Sequence, residues 1–305
     1  MAKKLINLKI DEVPVQVEEG TTILEAAKQN GITIPTLCYL KELNGIGACR
    51  MCLVEVKGMR NMVASCVYPV AEGMEVYTNT YKVIEARRKN LELLMSNHRK
   101  DCSNCLKANA CKLRQYAETY LIDDHKYDGE KSTHGPDATS PSIVRDPSKC
   151  ILCKRCAAVC EKQQDVGVIN ANKRGFNSYI GCAFDETMDK TACVGCGQCT
   201  LVCPTGALTE KTSYYEVAEK LSDPSYVVVA SPAPSVRVGL GEEFDMPIGT
   251  DVEGKLITAL RRMGFKYVFD VDFAADLTIM EEGHEFLDRL NNGGKLPLIT
   301  SCSPG

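Results

Sequence analysis

The spacing of its cysteines is the feature that most constrains how this 305-residue chain can fold. Of the 17 cysteines, fifteen fall together with one histidine into four groups of four. Thiolate and imidazole groups at such short spacings are metal ligands, so the backbone must return each group to one region of space. The groups are Cys38, Cys49, Cys52 and Cys66; His98, Cys102, Cys105 and Cys111; Cys150, Cys153, Cys156 and Cys160; and Cys193, Cys196, Cys199 and Cys203.

Bulk composition excludes several classes of protein. The 36 basic and 40 acidic residues leave a net charge of −4, which gives no electrostatic footprint for nucleic acid. The amino terminus has lysines without an apolar stretch behind them, and no segment has the length and apolarity of a membrane span. We therefore expect a cytoplasmic protein with no nucleic-acid or membrane partner, whose thiols stay reduced and available to metals.

The last two groups form an internal repeat with the spacing C-x₂-C-x₂-C-x₃-C, and the second run ends in Pro204. In this arrangement three thiolates of each run hold one 4Fe–4S cubane, and the fourth reaches the cubane of the other run. The spacing therefore predicts two crossed sites, one of Cys150, Cys153, Cys156 and Cys203 and one of Cys193, Cys196, Cys199 and Cys160. Structural zinc is the alternative, although zinc sites usually show two separated C-x₂-C pairs.

The first two groups are less specific. The first encloses Gly45 and Gly47, and glycine is needed where backbone amides approach cluster sulfurs closely. The histidine-containing group, as an isolated motif, fits a zinc knot and an iron–sulfur cluster equally well. In a cluster, the exchange of a thiolate for a neutral imidazole makes the site less negative, which should raise its reduction potential.

Hydrophobic patterning predicts a compact α+β module over residues 1–80. Residues 5–18 alternate as a half-buried hairpin. Thr22 to Glu25 form a capping box that opens a short helix, which ends before Gly31. The β-rich runs that follow are Met51–Val56, Met62–Cys66 and Met74–Asn79.

Residues 81–122 are predicted to form a small His/Cys domain whose first helix delivers His98. Leu91 and Met95 lie on the apolar face of this helix with Ile84 and Leu94, whereas Arg87–Lys89 lie largely off it.

Residues 123–142 are polar and rich in Gly, Pro, Ser and Thr, which predicts a linker or an extended crossing segment. His125 and His134 in it are expected to be solvated, with a surface metal contact as the alternative. Residues 143–212 contain the two long cysteine runs and form the predicted two-cubane domain.

After Ser222, strands alternate with helices, which predicts the beginning of a parallel α/β domain over residues 222–305. The predicted strands are Tyr226–Ala230, Phe265–Val271 and Pro297–Thr300, and the predicted helices are Ser235–Phe244, Asp251–Met263 and Asp276–Asn291.

Four remaining features are interpreted without a function. Cys182 lies outside every group and is expected to be a buried thiol, and His284 is expected on a helix surface. Gly293-Gly294-Lys295 is not a phosphate loop, because Arg289 stands where the first glycine of that motif belongs. Since no G-x-G-x-x-G follows a strand, a nicotinamide cofactor is expected on another subunit.

The order of the four groups, followed by Ser231–Arg237, Thr278–Gly283 and Thr300–Pro304, resembles iron–iron hydrogenases over essentially the whole chain. The resemblance implies a β-grasp 2Fe–2S ferredoxin domain, a His/Cys 4Fe–4S domain, a bacterial-type two-cubane domain and the beginning of an α/β catalytic domain. It assigns a 2Fe–2S cluster to the first group and a 4Fe–4S cluster to the second. In this family the α/β domain carries the H-cluster, which oxidises and produces hydrogen.

The resemblance also implies partners. Relatives with a leading 2Fe–2S module exchange electrons with a flavoprotein iron–sulfur subunit that uses NAD(H) or NADP(H), with a small 2Fe–2S subunit, and in bifurcating enzymes with ferredoxin. The direction of electron flow, the potentials and the oligomer do not follow from the sequence.

Cys302 matches the family position of a proton relay, and Ser303 stands where a cubane ligand is usual. Either Cys302 is itself the H-cluster ligand or one role is filled differently. No cysteine follows it, so we expect the chain as given to lack a complete H-cluster site and to be an ordered portion, a truncated form or, less readily, a natural relay subunit.

Two alternatives belong to other functional classes. One is a non-catalytic iron–sulfur electron-transfer subunit related to complex I or formate dehydrogenase, which would lack the three segments after residue 230. The other is a zinc-stabilised scaffold, with about one zinc ion in each group of ligands.

Overall fold

The computed structural model describes residues 4–122, 126–127, 129–132 and 134–300. Within them the chain divides into two compact units, one ending at Lys211 and the other beginning at Thr212. No helix in the described part of the chain combines the length and apolarity needed to cross a bilayer.

Secondary structure is mixed throughout both units. The described strands are β1 (Leu5–Ile10), β2 (Val13–Glu18), β3 (Leu53–Val56), β4 (Val63–Ala64), β5 (Glu75–Tyr77), β6 (Ile143–Arg145), β7 (Ile169–Asn172), β8 (Tyr179–Cys182), β9 (Leu208–Glu210), β10 (Val229–Ala230) and β11 (Tyr267–Val268). The described α-helices are α1 (Ile23–Gln29), α2 (Tyr81–Ser96), α3 (Lys112–Thr119), α4 (Arg155–Lys162), α5 (Gln198–Val202), α6 (Tyr214–Ser222), α7 (Val236–Gly239), α8 (Glu253–Arg262) and α9 (Val271–Asn292). Short 3₁₀ turns lie at Cys102–Asn104, Ala108–Ala110, Pro147–Lys149, Gly175–Asn177, Ala183–Asp185, Met188–Lys190 and Leu240–Phe244.

The first module is a five-stranded sheet in the order β2-β1-β5-β3-β4. β1 and β2 form the predicted antiparallel hairpin, and β1 also pairs in parallel with β5. The predicted helix is confirmed as α1: the Thr22 side chain accepts a hydrogen bond from the amide of Glu25, which satisfies one of the free donors of its first turn. Ile6, Leu8 and Ile10 face the core beneath α1.

The helix that leads to His98 is α2, as predicted. The hydrophobic pattern was wrong about one of its basic residues, Arg87, which it placed off the buried face. Arg87 is buried, 3% exposed, whereas Arg88 is half-buried and Lys89 is exposed. Its guanidinium Nη2 donates to the Leu53 carbonyl oxygen at 2.8 Å, and Nη1 donates to the Tyr120 hydroxyl at 3.4 Å. These two hydrogen bonds therefore stabilise Arg87 in a buried position, which a helical wheel would not predict for an arginine.

The two cysteine runs lie in a layer of paired helices and short hairpins. α4 packs against α5, β6 pairs with β9, and β7 pairs with β8, both antiparallel. The end of the predicted linker joins this layer, because Asp137 pairs its backbone with Arg145 and both side chains are buried.

The second unit contains the parallel pair β10–β11, which agrees with the predicted α/β pattern. Several predicted elements were wrong in their bounds. The strand predicted at Phe265–Val271 is reduced to β11, and Val271 already belongs to α9. The strand predicted at Tyr226–Ala230 is reduced to β10 and is not buried, and Pro297–Thr300 is irregular, with no strand pairing it in the described residues. The last helix begins at Val271 and not at Asp276, because the Asp270 side chain accepts from the amide of Phe273 and caps it there.

Candidate metal centres

The two long cysteine runs are folded alike. Each enters its helix through left-handed residues at matching positions: Leu152 and Lys154 before α4, and Gly195 and Gly197 before α5. Glycine adopts this conformation freely, whereas leucine and lysine are strained in it. The two loops have the same backbone conformation although their residues differ. This indicates that the backbone conformation, which positions the cysteines, is required in both loops.

The structure brings the cysteines together in the crossed sets that the spacing predicts. One cavity is bordered by Cys150, Cys153, Cys156 and Cys203. A second cavity is bordered by Cys160, Cys193, Cys196 and Cys199. Each cavity thus takes three cysteines from one run and the fourth from the other, although ligation itself stays a prediction.

Burial controls the chemistry of these thiols. It raises the pKa of Cys150 to about 11 and the pKa of Cys153 and of Cys199 to about 12. Without a cation the thiols are therefore neutral near pH 7. A bound metal replaces the protons and stabilises the thiolates, so metal binding also stabilises the fold.

The first group is the most deeply buried. Cys38, Cys49, Cys52 and Cys66 are each at most 5% exposed. The Sγ atoms of Cys52 and Cys66 lie 3.3 Å apart, and the Cys49 amide donates to Cys38 Sγ at 3.5 Å. A backbone amide directed at a ligand sulfur is the type of contact expected around a cluster.

Three members of the histidine-containing group, His98, Cys102 and Cys111, border another cavity, whereas Cys105 is not among its lining residues. Burial, followed by the charge of Lys149, lowers the pKa of His98 to about 4, so its imidazole is neutral, as a metal ligand must be. Its buried Nδ1 has no hydrogen-bond partner in the described part of the chain. Buried polar atoms are normally paired, so this unpaired nitrogen fits the role of a metal ligand.

Two contacts join different groups. Asn44 is buried, and its side-chain amide donates to the carbonyl oxygens of Cys38 at 2.7 Å and of Cys153 at 2.9 Å. Gly206 lies against Cys105, because a Cβ added there would be 2.5 Å from its Sγ. Centres held by these cysteines would therefore be neighbours within one folded unit.

Across the described ranges between residues 4 and 300, no three His, Cys, Asp or Glu side chains are arranged around a single ion position. The cysteines of each crossed set instead border a cavity of their own.

The remaining predicted residues have mixed outcomes. Cys182 is buried and His284 is exposed, as predicted. Gly293 ends α9 as a left-handed cap, in agreement with the rejection of a phosphate loop. His134 was predicted to be solvated, but it is half-buried: its ring centroid lies 4.3 Å from that of Tyr179, with the two rings tilted by 32°, and the aromatic ring offers it an apolar partner. His125 and Cys302 lie outside the described residues.

Sequence reasoning missed the residues that surround the ligands. Arg145 and Thr205 border the Cys150 cavity, and the Thr205 hydroxyl lies 3.7 Å from Cys203 Sγ. Asn44 was also missed. No local pattern marks these positions, because each also has a partner far along the chain: Ile180 for Arg145, Lys149 for Thr205 and Cys153 for Asn44.

Family comparisons agree with this layout. Residues 3–81 match a 2Fe–2S iron–sulfur cluster binding domain, and residues 87–126 match an NADH-ubiquinone oxidoreductase-G iron–sulfur binding region. Residues 149–207 match a 4Fe–4S dicluster domain, and residues 226–305 match the C-terminal domain of the iron only hydrogenase large subunit.

Individual relatives extend the match over almost the whole chain. The chain is 48% identical to the NADP-reducing hydrogenase subunit HndD of Solidesulfovibrio fructosivorans over 99% of its own length and 53% of that subunit. It is 37% identical to iron hydrogenase 1 of Clostridium pasteurianum over 97% of its own length and 52% of that protein. The chain therefore spans about half the length of these curated relatives.

A solved structure has a similar fold over about two thirds of the chain. A chain of an NAD⁺-reducing NiFe-hydrogenase in the H2-reduced state matches with a TM-score of 0.64 and 29% identity, covering 68% of this chain and 88% of that one. This one chain contains both the regions that match iron–sulfur cluster binding domains and, over residues 226–305, the region that matches the hydrogenase large subunit. The chain belongs to the iron–iron hydrogenase family, as a relative of its large catalytic subunits.

Proposed function

We propose that this chain is the electron-relay arm and part of the catalytic domain of a multi-subunit iron–iron hydrogenase. The whole protein would catalyse the reversible oxidation of hydrogen. Its electrons would pass singly through 4Fe–4S and 2Fe–2S clusters to or from partner subunits.

The crossed cavities carry this proposal. Three cysteines of one run and one of the other border each cavity, which is the arrangement of two neighbouring cubanes. We propose Cys150, Cys153, Cys156 and Cys203 as the ligands of one, and Cys193, Cys196, Cys199 and Cys160 as the ligands of the other.

Two further clusters complete the proposed set. A β-grasp domain over residues 1–80 would hold a 2Fe–2S cluster on Cys38, Cys49, Cys52 and Cys66. A small domain over residues 81–122 would hold a 4Fe–4S cluster on His98, Cys102, Cys105 and Cys111. When bound, such clusters accept and release one electron at a time.

The residues of the chain would keep these centres close together and dry. The buried Asn44 joins a segment of the first group to a segment of the Cys150 group, and Gly206 lets Cys105 approach the loop that follows Cys203. An apolar cluster that includes Leu37, Met51, Leu91 and Leu113 lies beside Cys38, Cys111 and Cys153 and excludes water from the region between the groups.

The proposed partners are a flavoprotein iron–sulfur subunit that binds NAD(H) or NADP(H), a small 2Fe–2S subunit and, for a bifurcating enzyme, ferredoxin. HndD is by name a subunit of an NADP-reducing hydrogenase, which supports a multi-subunit assembly. Cytoplasmic residence is part of the same proposal. The H-cluster would require cysteines beyond those of this chain, with Cys302 as a relay or a ligand.

A non-catalytic relay subunit remains the second candidate, because residues 87–126 match the corresponding region of NADH-ubiquinone oxidoreductase. Residues 226–305 favour the hydrogenase, since that segment matches the hydrogenase large subunit.

Hydrogen-dependent dye reduction separates the two candidates. The full-length protein would be matured, purified with its partners and supplied with hydrogen under anaerobic conditions. The hydrogenase proposal expects dye reduction that stops when hydrogen is replaced by argon. Complete iron–sulfur clusters without any hydrogen uptake or evolution would leave only the relay.

A further inference from the structure

We propose that the guanidinium Nε of Arg145 donates a hydrogen bond to the cluster in the Cys150 cavity and raises its reduction potential above that of the cluster in the Cys160 cavity. This inference rests on the proposed function, because it requires both cavities to hold 4Fe–4S clusters.

Arg145 is buried, 9% exposed, and borders the cavity formed by Cys150, Cys153, Cys156 and Cys203. Two of its three guanidinium nitrogens have protein partners. Nη1 donates to the Ile180 carbonyl oxygen at 3.0 Å, and Nη2 lies 3.3 Å from Asp137 Oδ2. Nε is buried and has no hydrogen-bond partner in the described part of the chain. A buried N–H without an acceptor is costly, so a group absent from the polypeptide is expected to accept it.

The surrounding residues hold this guanidinium in place. Gly181 has no side chain, and a Cβ there would lie 3.0 Å from Arg145 Nη1 and 2.4 Å from a ring carbon of Tyr179. The carboxylate of Asp137 is fixed in turn by the Thr139 hydroxyl at 2.6 Å and by the Met188 amide at 3.0 Å. The orientation of Nε is therefore set by packing on several sides.

The matching cavity offers no cationic donor. Its lining contains the four cysteines, Gln164, Gln198 and apolar residues, with no charged side chain among them. The Cys150 cavity is lined by Arg145 and by Lys154, whose side chain is exposed to solvent. Two cavities built from the same cysteine run thus differ in one buried cation, Arg145.

That difference sets the direction of the effect. Reduction adds negative charge to a cluster, and a hydrogen bond to its sulfur stabilises the more negative state. Asp137 offsets the net charge of Arg145, so the hydrogen bond of Nε carries the effect more than the long-range field does. When one electron is available to the two clusters, the cluster in the Cys150 cavity should therefore be the one that is mainly reduced.

The test is a redox titration followed by electron paramagnetic resonance, on the full chain loaded with clusters. Arg145→Met should lower the ratio of reduced to oxidised cluster about tenfold at a fixed potential, which is about 59 mV for one electron. One 4Fe–4S step should move while the others stay. Cys203→Ala, which removes a ligand of the same cavity, should abolish the step that moves.

Lys154→Met is the matched control, because this cation borders the same cavity but is exposed, and it should change the ratio less than threefold. An equal shift in both variants would show that a general charge effect is at work and would overturn the inference. If the unpaired Asp137 prevents cluster loading in Arg145→Met, the double variant Arg145→Met/Asp137→Asn replaces it, with the same expected shift.

An unchanged midpoint with full iron content would reject the role of Arg145 and leave the proposed function intact. Absence of iron–sulfur signals from the unmodified chain would instead remove the proposed function itself.

Discussion

The side-chain amide of Asn44 donates a hydrogen bond to the carbonyl oxygen of Cys153 at 2.9 Å and another to that of Cys38 at 2.7 Å. One buried side chain thus links two cysteine groups that are far apart in the sequence. Its hydrogen bonds are part of the boundary between the first module and the two-cubane layer.

Replacement of Asn44 by Leu should loosen this link. Both carbonyl oxygens would be left buried without a hydrogen-bond donor. The free energy of local opening should therefore fall by about 2 kcal/mol, which corresponds to amide exchange about 30-fold faster. Hydrogen-exchange mass spectrometry on the cluster-loaded chain can measure this over residues 38–49. Asn90→Leu is the control, since that partly exposed amide makes a single bond of 3.2 Å to Arg50. Equal exchange in both variants would mean that Asn44 does not fix the loop.

Gly206→Ala should damage the cluster of the histidine-containing group, although Gly206 follows the last of the long cysteine runs. The new Cβ would lie 2.5 Å from Cys105 Sγ, and a ligand sulfur cannot move away without distorting its site. We expect the signal of the histidine-ligated cluster to be lost or broadened, while both cubanes of the long runs are retained. Gly135→Ala, where nothing lies within 4 Å of the added Cβ, should leave every signal unchanged. Loss of a long-run cubane with a normal histidine-ligated signal would contradict this account.

Single cysteine replacements test the crossed sets directly. Cys203→Ala should abolish the same cubane as Cys153→Ala, although Cys203 follows the other run in sequence. Cys160→Ala should abolish the same cubane as Cys196→Ala. The measurement is the loss of one signal in paramagnetic resonance spectra together with iron content. Pairing of Cys203 with Cys196 and of Cys160 with Cys153 would refute the crossed arrangement.

Arg87→Ala should destabilise the first unit. It removes a buried side chain and leaves the Leu53 carbonyl oxygen without its 2.8 Å donor, so a loss of about 2–4 kcal/mol is expected. Arg88→Ala, one position along the same helix, should cost less than about 0.5 kcal/mol. The urea concentration at which cluster absorbance disappears provides the comparison. Similar midpoints for the two variants would show that the buried contacts of Arg87 contribute little.

Local features of the fold were predictable from the sequence because their causes are local. Alternating residues placed β1 and β2, and Thr22 with Glu25 placed the start of α1. The spacing of the long runs also predicted which cysteines share a cavity, since the helix and loop geometry of such a run leaves few alternatives.

Long-range contacts were not predictable. The pattern placed Arg87 on the outside of its helix because a helical wheel contains no information about the Leu53 carbonyl oxygen that draws it inward. His134 was expected in solvent, and only the fold brings the ring of Tyr179 beneath it. Arg145 could not be singled out for the same reason, since Ile180 and Asp137 reach it from separate segments.

The central claim is that the four groups hold iron–sulfur clusters, and metal analysis combined with paramagnetic resonance tests it most directly. The chain, purified and reconstituted without oxygen, should contain about 14 iron ions and a matching amount of sulfide, with signals of one 2Fe–2S and three 4Fe–4S clusters after reduction. About four zinc ions per chain, with no reduced iron–sulfur signal, would contradict the account.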